Sequence, residues 1–177
     1  VRGLEYIFEK ESKSSDDIAK LSAARDLMYR NLFYYSAYSE IFIVDANTGL
    51  IAISTNRASE GINKSSDAYF STPLETGEMY IKDIYNSPST NKTAMTLSLP
   101  LYCLDHGIHV IGILVARIDL DGSLYKLLHD RVGLGTTGET LIVNKDVVAL
   151  NELRWYDDAP LNLQISAEPA RNAAQGK

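Results

Sequence analysis

Hydrophobic positions along this chain change from a helical to a strand-like period next to Glu40. Before it, Ile18, Leu21, Met28, Leu32 and Tyr35 fall on a three-four spacing, with Arg25 interrupting the stripe. No Gly or Pro occurs between Leu4 and Ala46, so nothing in that stretch breaks a helix. The spacing predicts helix from about Leu4 to Tyr38, either as one rod or as two helices joined near Ser15. Ser14-Ser15-Asp16-Asp17 supplies a cap and two first-turn carboxylates for the second of these. After Glu40 the period becomes strand-like. Strands are expected at Ile41–Val44, Leu50–Ser54, Met79–Tyr85, Thr93–Tyr102 and Ile108–Ile118, antiparallel by their short links. Arg57 to Gly77 is polar, with Gly61, Pro73 and Gly77 as breakers, and reads as loops and short helices between the second and third strands. Leu120 to Arg131 predicts a helix with Leu124, Leu127 and Leu128 inward.

One pattern occurs twice. Phe42-Ile43-Val44-Asp45, a turn at Ala46-Asn47-Thr48-Gly49, and Leu50-Ile51-Ala52-Ile53-Ser54 form the first copy. Leu141-Ile142-Val143-Asn144, a turn at Lys145-Asp146, and Val147-Val148-Ala149-Leu150-Asn151 form the second. Strand, tight turn, strand, repeated, predicts two tandem modules. The outline is an α+β chain: a long N-terminal helix over residues 1–40, a PAS-like module with a five-stranded antiparallel sheet over 41–132, and the opening of a second PAS-like module over 133–177. Gly133-Leu134-Gly135-Thr136-Thr137-Gly138 is the expected linker, and Ser166 is the expected cap of a last helix. The second module lacks its later strands, so the chain reads as a piece of a larger protein. The second hairpin is not expected to pair with the first sheet.

Composition narrows the class. The chain has 177 residues, 45% of them hydrophobic and 23% charged, as in an ordinary globular protein. A net charge of -6 and the absence of a basic run disfavour nucleic acid and anionic membrane surfaces. The single cysteine, Cys103, excludes an internal disulfide framework. No stretch reaches the roughly 18 apolar residues of a membrane span. Cys103, Asp105, His106 and His109 cluster around a turn, but their spacing matches no zinc signature, and no metal is expected. The three histidines, His106, His109 and His129, assemble into no nucleophile–base set, and no phosphate-loop motif is present. Neither an enzyme nor a bound cofactor is expected.

A family resemblance rests on an ordered series of segments. Ser66-Asp67-Ala68-Tyr69-Phe70, Tyr80-Ile81-Lys82-Asp83-Ile84-Tyr85, Met95-Thr96-Leu97-Ser98-Leu99-Pro100 and Ile111-Gly112-Ile113-Leu114-Val115 follow one another as in double Cache domains. Gly138-Glu139-Thr140-Leu141-Ile142-Val143 resembles the opening of the second, membrane-proximal module of such domains. These are extracytoplasmic sensor regions of membrane-bound histidine kinases and chemoreceptors. The resemblance implies a parent anchored in the membrane, a first helix that leaves a membrane span, and a small-molecule ligand in the distal module. It is also compatible with a homodimer through the exposed face of the N-terminal helix.

The resemblance also locates a site. In amino-acid-binding members an Arg two residues before an aromatic pair grips the ligand carboxylate, and an Asp on the last strand accepts the ammonium. Here the aromatic pair is Tyr69-Phe70, but Asp67 stands at the Arg position and Arg117 at the Asp position. Both charges are reversed. Arg117 is therefore the expected partner of a ligand carboxylate, and free α-amino acids are expected to bind poorly because Asp67 would face their carboxylate. The alternative is an Asp67–Arg117 ion pair that closes the site. Tyr85 and Ser87 are placed on the flank, Ser87 at a position that is acidic in amino-acid binders. Thr96 and Ser98 share one strand face opposite the apolar Met95, Leu97 and Leu99; buried, they would line a polar cavity, and exposed, a solvated sheet face. Two readings follow. One is a sensor binding a small polar or carboxylate-bearing molecule through Asp67, Tyr69, Phe70, Tyr85, Ser87, Thr96, Ser98 and Arg117. The other is a ligand-free structural, dimerisation or protein-interaction module.

Overall fold

A computed structural model describes residues 14–35, 37–87, 92–103, 109–128 and 132–177. The expected helix upstream of Ser14, the turn at Asp105-His106-Gly107 and the end of the helix at Arg131 lie outside the described residues. Ser14 opens helix α1 (Ser15–Tyr34) with a reciprocal capping box. Its hydroxyl accepts from the Asp17 N–H at 3.2 Å, and the Asp17 carboxylate accepts from the Ser14 N–H at 2.9 Å. Of the expected stripe, Met28 is buried and Leu21 and Leu32 are partly so, but Ile18 and Tyr35 are 58% and 60% exposed. The helix meets the sheet through its middle, and Arg25 belongs to that contact. Its Nε donates to the Ser54 carbonyl at 3.2 Å and its Nη2 pairs with Glu60 at 2.6 Å. The Tyr29 hydroxyl donates to the Thr55 carbonyl.

Five strands follow: β1 (Tyr38–Asp45), β2 (Ile51–Ser54), β3 (Tyr80–Ser87), β4 (Lys92–Cys103) and β5 (His109–Ile118). They form one sheet in the order β2-β1-β5-β4-β3, with β1 antiparallel to β2 and β5, and β4 antiparallel to β5. A single 3-10 turn (Arg57–Ser59) and helix α2 (Ala68–Thr76) are inserted between β2 and β3. The architecture is the expected α+β, PAS-like one. The second hairpin contributes nothing to this sheet; it bridges Val143 to Ala149 and Val148 to Gln164.

Alternation divides the sheet into two faces. Ile41 and Ile43 of β1 and Ile53 of β2 pack with Met28 of α1. Phe42, Val44, Val115 and Ile113 face the other way and pack with Tyr69 and Phe70 of α2. A register shift beside Ile43 and Val44 turns Ile51 onto this second face although Ile53 is on the first. Helix α2 ends at Gly77, whose φ of 71° provides the left-handed cap that closes its N–H onto the Pro73 carbonyl.

The chain divides into two compact units, residues 1–83 with 95–118, and residues 84–94 with 119–177. In the second, α3 (Leu124–Leu128) and α4 (Glu168–Ala174) are helical. The N-cap of helix α4 falls one residue later than expected. Ala167, not Ser166, holds the N-cap position, and no side chain caps it. Tyr125 of α3 is buried, and its hydroxyl donates to the Leu150 carbonyl at 2.5 Å. Burial pushes its phenol above the usual range, opposed by a hydrogen bond to Thr93 and assisted by Asp121 and Glu152. An unfolded chain ionises this group near pH ~10, while the folded one keeps its proton to higher pH. Its contribution to stability is thus complete below that value and lost as pH rises through the folded value. Tyr125→Phe is expected to cost about 1 kcal/mol at neutral pH. Urea midpoints of that variant should then fall less steeply above pH ~10 than the parent's.

Both hairpin tips are built by the side chain that opens them. The Asp45 carboxylate accepts from the N–H groups of Asn47 and Thr48, and Gly49 takes the left-handed position at a φ of 68°. The Asn144 amide oxygen accepts from Asp146 and Val148, but the left-handed position is held by Val147, at a φ of 60°. A β-branched residue is strained there. Val147→Gly should raise stability by about 0.5–1 kcal/mol, the strain relieved less the entropy that glycine adds to the unfolded chain. Equilibrium urea unfolding measures this; a loss of stability would mean that the Val147 side chain contributes more by packing than its backbone loses.

Candidate ligand-binding site

The face of the sheet that meets α2 carries a row of polar side chains. Glu40 on β1 and Thr96 on β4 both stand opposite Arg117 on β5, so three strands contribute to one line. Strand parity puts Phe42 beside Glu40, Val115 beside Arg117 and Ser98 beside Thr96 on the same face. All the polar members are buried: Glu40 and Arg117 are each 5% exposed, Thr96 and Ser98 each 1%. The two hydroxyls expected on a strand face are therefore on a buried one.

Arg117 pairs with Glu40, its Nη1 donating to the carboxylate at 2.6 Å. The other oxygen of Glu40 accepts from the Ser54 hydroxyl at 2.8 Å. The guanidinium lies 5.7 Å from the Phe42 ring centroid. Its Nε is buried and has no hydrogen-bond partner among the described residues. The Ser98 hydroxyl donates to the Tyr80 carbonyl at 3.3 Å.

Asp67 lies at the other side of the aromatic pair. It holds the N-cap position of α2 but makes no side-chain cap bond. Its carboxylate instead accepts from the Tyr69 hydroxyl at 2.9 Å and pairs with Lys64 at 3.5 Å and Lys82 at 3.9 Å. The Lys82 ammonium sits 5.5 Å from the Tyr69 ring centroid. Tyr69 meets Phe42 edge to face at 6.2 Å. The sequence of contacts is thus Glu40–Arg117–Phe42–Tyr69–Asp67, with Lys82 and Lys64 beyond. Phe70 is buried in the same cluster.

Of the residues singled out by sequence, Tyr69, Phe70, Thr96, Ser98 and Arg117 are all buried in the first unit, and Asp67 lies at its partly exposed edge. Tyr85, half-buried, and Ser87, buried, lie on the part of β3 that belongs to the second unit. Asp67 and Arg117 do not pair with each other; each has its own counter-charge. Two consequences follow for electrostatics. Glu40 neutralises the guanidinium expected to receive an anion. Lys64 and Lys82 offset the repulsion that Asp67 would exert on a carboxylate.

Sequence reasoning missed Glu40, Lys82 and Lys64. A signal for Glu40 was present: two positions before Phe42 and four before Val44, it shares their face by alternation, and a carboxylate there demands a cation on a neighbouring strand. A depression of about 260 Å³ lies elsewhere, at the β1–β2 end, lined by Asp45, Thr48, Leu50, Ile51, Ala52 and Glu60. Its carboxylates are already engaged, Asp45 by the turn and Glu60 by Arg25 and the Ser54 N–H. No group of three or more potential metal ligands occurs among the described residues.

No protein-family model matches the sequence, and no curated protein matches it. Solved structures do. The chain is similar to the ligand-binding domain of the Pseudomonas aeruginosa amino acid chemoreceptor PctC in complex with GABA, at 15% identity and a TM-score of 0.58, over 86% of this chain and 63% of that one. It is similar to the ligand-binding domain of the Campylobacter jejuni chemoreceptor Tlp3 in complex with 4-methylisoleucine, at 15% identity and a TM-score of 0.60, over 90% and 64%. The sensor domain of the V. cholerae histidine kinase DctB matches at 15% identity and a TM-score of 0.53, over 62% and 41%. The chain thus spans less than two thirds of each. The fold is that of the sensor domains of histidine kinases and chemoreceptors, as the resemblance to double Cache domains implied. These neighbours are sensor or ligand-binding domains, not catalytic ones. Among the described residues, no helix is long and apolar enough to cross a membrane.

Proposed function

We propose that this chain is the extracytoplasmic ligand-sensing region of a transmembrane signal-transduction receptor, in the first instance a histidine kinase. The N-terminal segment that includes α1 leads from the membrane, the strands from β1 to β5 with α2 form the ligand-binding distal module up to about residue 132, and 133–177 form the start of the membrane-proximal module. The ligand is a small polar molecule held on the sheet face that carries Arg117, Thr96 and Ser98, under Tyr69 and Phe70. The observation that carries this reading is the buried Nε of Arg117, a donor without an acceptor on a face of buried hydroxyls. Native proteins rarely leave such a donor unmet, and a ligand acceptor would meet it. Ligand binding alters the receptor by favouring one of two arrangements of the module, which requires unequal affinity for them.

One observation favours the second reading, a module without ligand. Arg117 and Asp67 are both neutralised within the chain. A thermal-shift screen of organic acids, amides, amines and amino acids separates the two. On the sensing reading at least one compound stabilises the chain, by about 2.7 kcal/mol at a hundredfold excess over its Kd. Arg117→Lys, which keeps the charge and loses the Nε donor, should remove that gain. If no compound of any class stabilises the chain, the module without ligand is the better account.

A further inference from the structure

Resting on the sensing reading, we infer that the ligand group received by Arg117 is an uncharged hydrogen-bond acceptor, an amide carbonyl or a hydroxyl, and that Glu40 enforces this choice. Arg117 and Glu40 are each 95% buried by their 5% exposure and pair at 2.6 Å, so this end of the face carries no net charge. A ligand carboxylate placed there would be a third buried charge with no partner of its own, and burying an unpaired charge is strongly unfavourable. An amide oxygen brings an acceptor without a charge. Among the described residues the buried unmet donor is the Arg117 Nε–H. Around that donor the same face presents hydroxyls rather than charges, Thr96 opposite Arg117 and Ser98 beside it. Ser54 is committed to Glu40 through its hydroxyl and holds the carboxylate in place. Glu40 is thus a specificity-determining residue that acts through Arg117. It turns a guanidinium, ordinarily an anion site, into a donor for neutral groups.

The test compares isosteric acids and amides: butyrate with butyramide, succinate with succinamide, glutarate with glutaramide. Melting temperature is followed on the chain, and the Nε–H resonance of Arg117 is followed in protein carrying nitrogen-15 arginine. The expected result is that an amide binds at least about tenfold more tightly than its acid and moves the Arg117 Nε–H signal, while Glu40→Gln, by freeing the guanidinium charge, reverses that order. If Glu40→Gln does not fold, the acid-to-amide ratio and the Nε–H shift in the parent still decide. Tighter binding of the acid by the parent would overturn the inference. So would stabilisation by an amide with an unmoved Nε–H signal, which would leave ligand sensing intact at another place. If no member of either series binds parent or variant, the inference fails, and a blank in the broader screen as well would remove the sensing reading beneath it.

Discussion

Arg117→Met is expected to destabilise the first unit by about 3–5 kcal/mol, more than any loss of packing volume would explain. The variant removes the cation from a pair in which both members are 5% exposed, and leaves Glu40 buried with, among the described residues, the Ser54 hydroxyl as its one side-chain partner. The cost lies in the stranded carboxylate, because the attraction within such a pair is largely offset by the desolvation of both charges. Glu40→Leu combined with Arg117→Met should therefore recover most of the loss, since neither charge then remains inside. A double-mutant cycle by urea unfolding reads this directly. Independent, additive losses would mean that the two side chains are solvated in the native state. An Asp67–Arg117 pair is not needed to close the site, because the guanidinium already has its counter-ion, Glu40, on the adjacent strand.

Phe42→Ala is expected to cost about 3–5 kcal/mol, and Phe42→Leu about 1 kcal/mol. Phe42 is fully buried at the centre of the core formed by Val44, Ile51, Tyr69, Phe70, Ile113 and Val115. Truncation to alanine opens a cavity on a sheet that cannot collapse into it, because β1 is fixed by β2 on one side and β5 on the other. It also removes the ring that stands between Tyr69, at 6.2 Å, and the Arg117 guanidinium, at 5.7 Å. Ligand binding should therefore weaken together with stability, whereas Tyr125→Phe, on α3 of the second unit, should change stability alone. Chemical denaturation with ligand titration of both variants separates these outcomes; unaltered affinity in a folded Phe42→Leu protein beside lost affinity in Tyr125→Phe would place the site elsewhere.

Much of the fold was legible because periodicity encodes it. The change from three-four spacing to alternation beside Glu40 marks the passage from α1 into β1, and the strand runs are recovered within a few residues. The capping box at Ser14 and Asp17 identifies where the described helix begins. Less legible were features set by tertiary contact. Ile18 and Tyr35 have the spacing of core residues, yet only the middle of α1 lies on the sheet. Ser166 is a good cap by type, but the chain enters α4 one residue later. In the site, the burial of Thr96 and Ser98 was one of two options that a single strand cannot distinguish; the arrival of Tyr69 and Phe70 from α2 on that face decides it. Charge partners were hardest. Arg117 was visible as an unusual charge at the end of a β-branched run, but its match with Glu40 depends on β1 lying next to β5, a pairing between residues 77 positions apart. Lys82 likewise reaches Asp67 through the fold, fifteen positions away in sequence and on a different element.

The most direct measurement is a crystal structure of this chain grown with the compound that stabilises it most in the thermal-shift screen. The account predicts density for that molecule between the sheet face and α2, with an oxygen of the ligand within hydrogen-bond distance of the Arg117 Nε and with the Glu40–Arg117 pair intact. Density for the compound away from this face, or a buried water on the Arg117 Nε with the compound absent from the first unit, would contradict it.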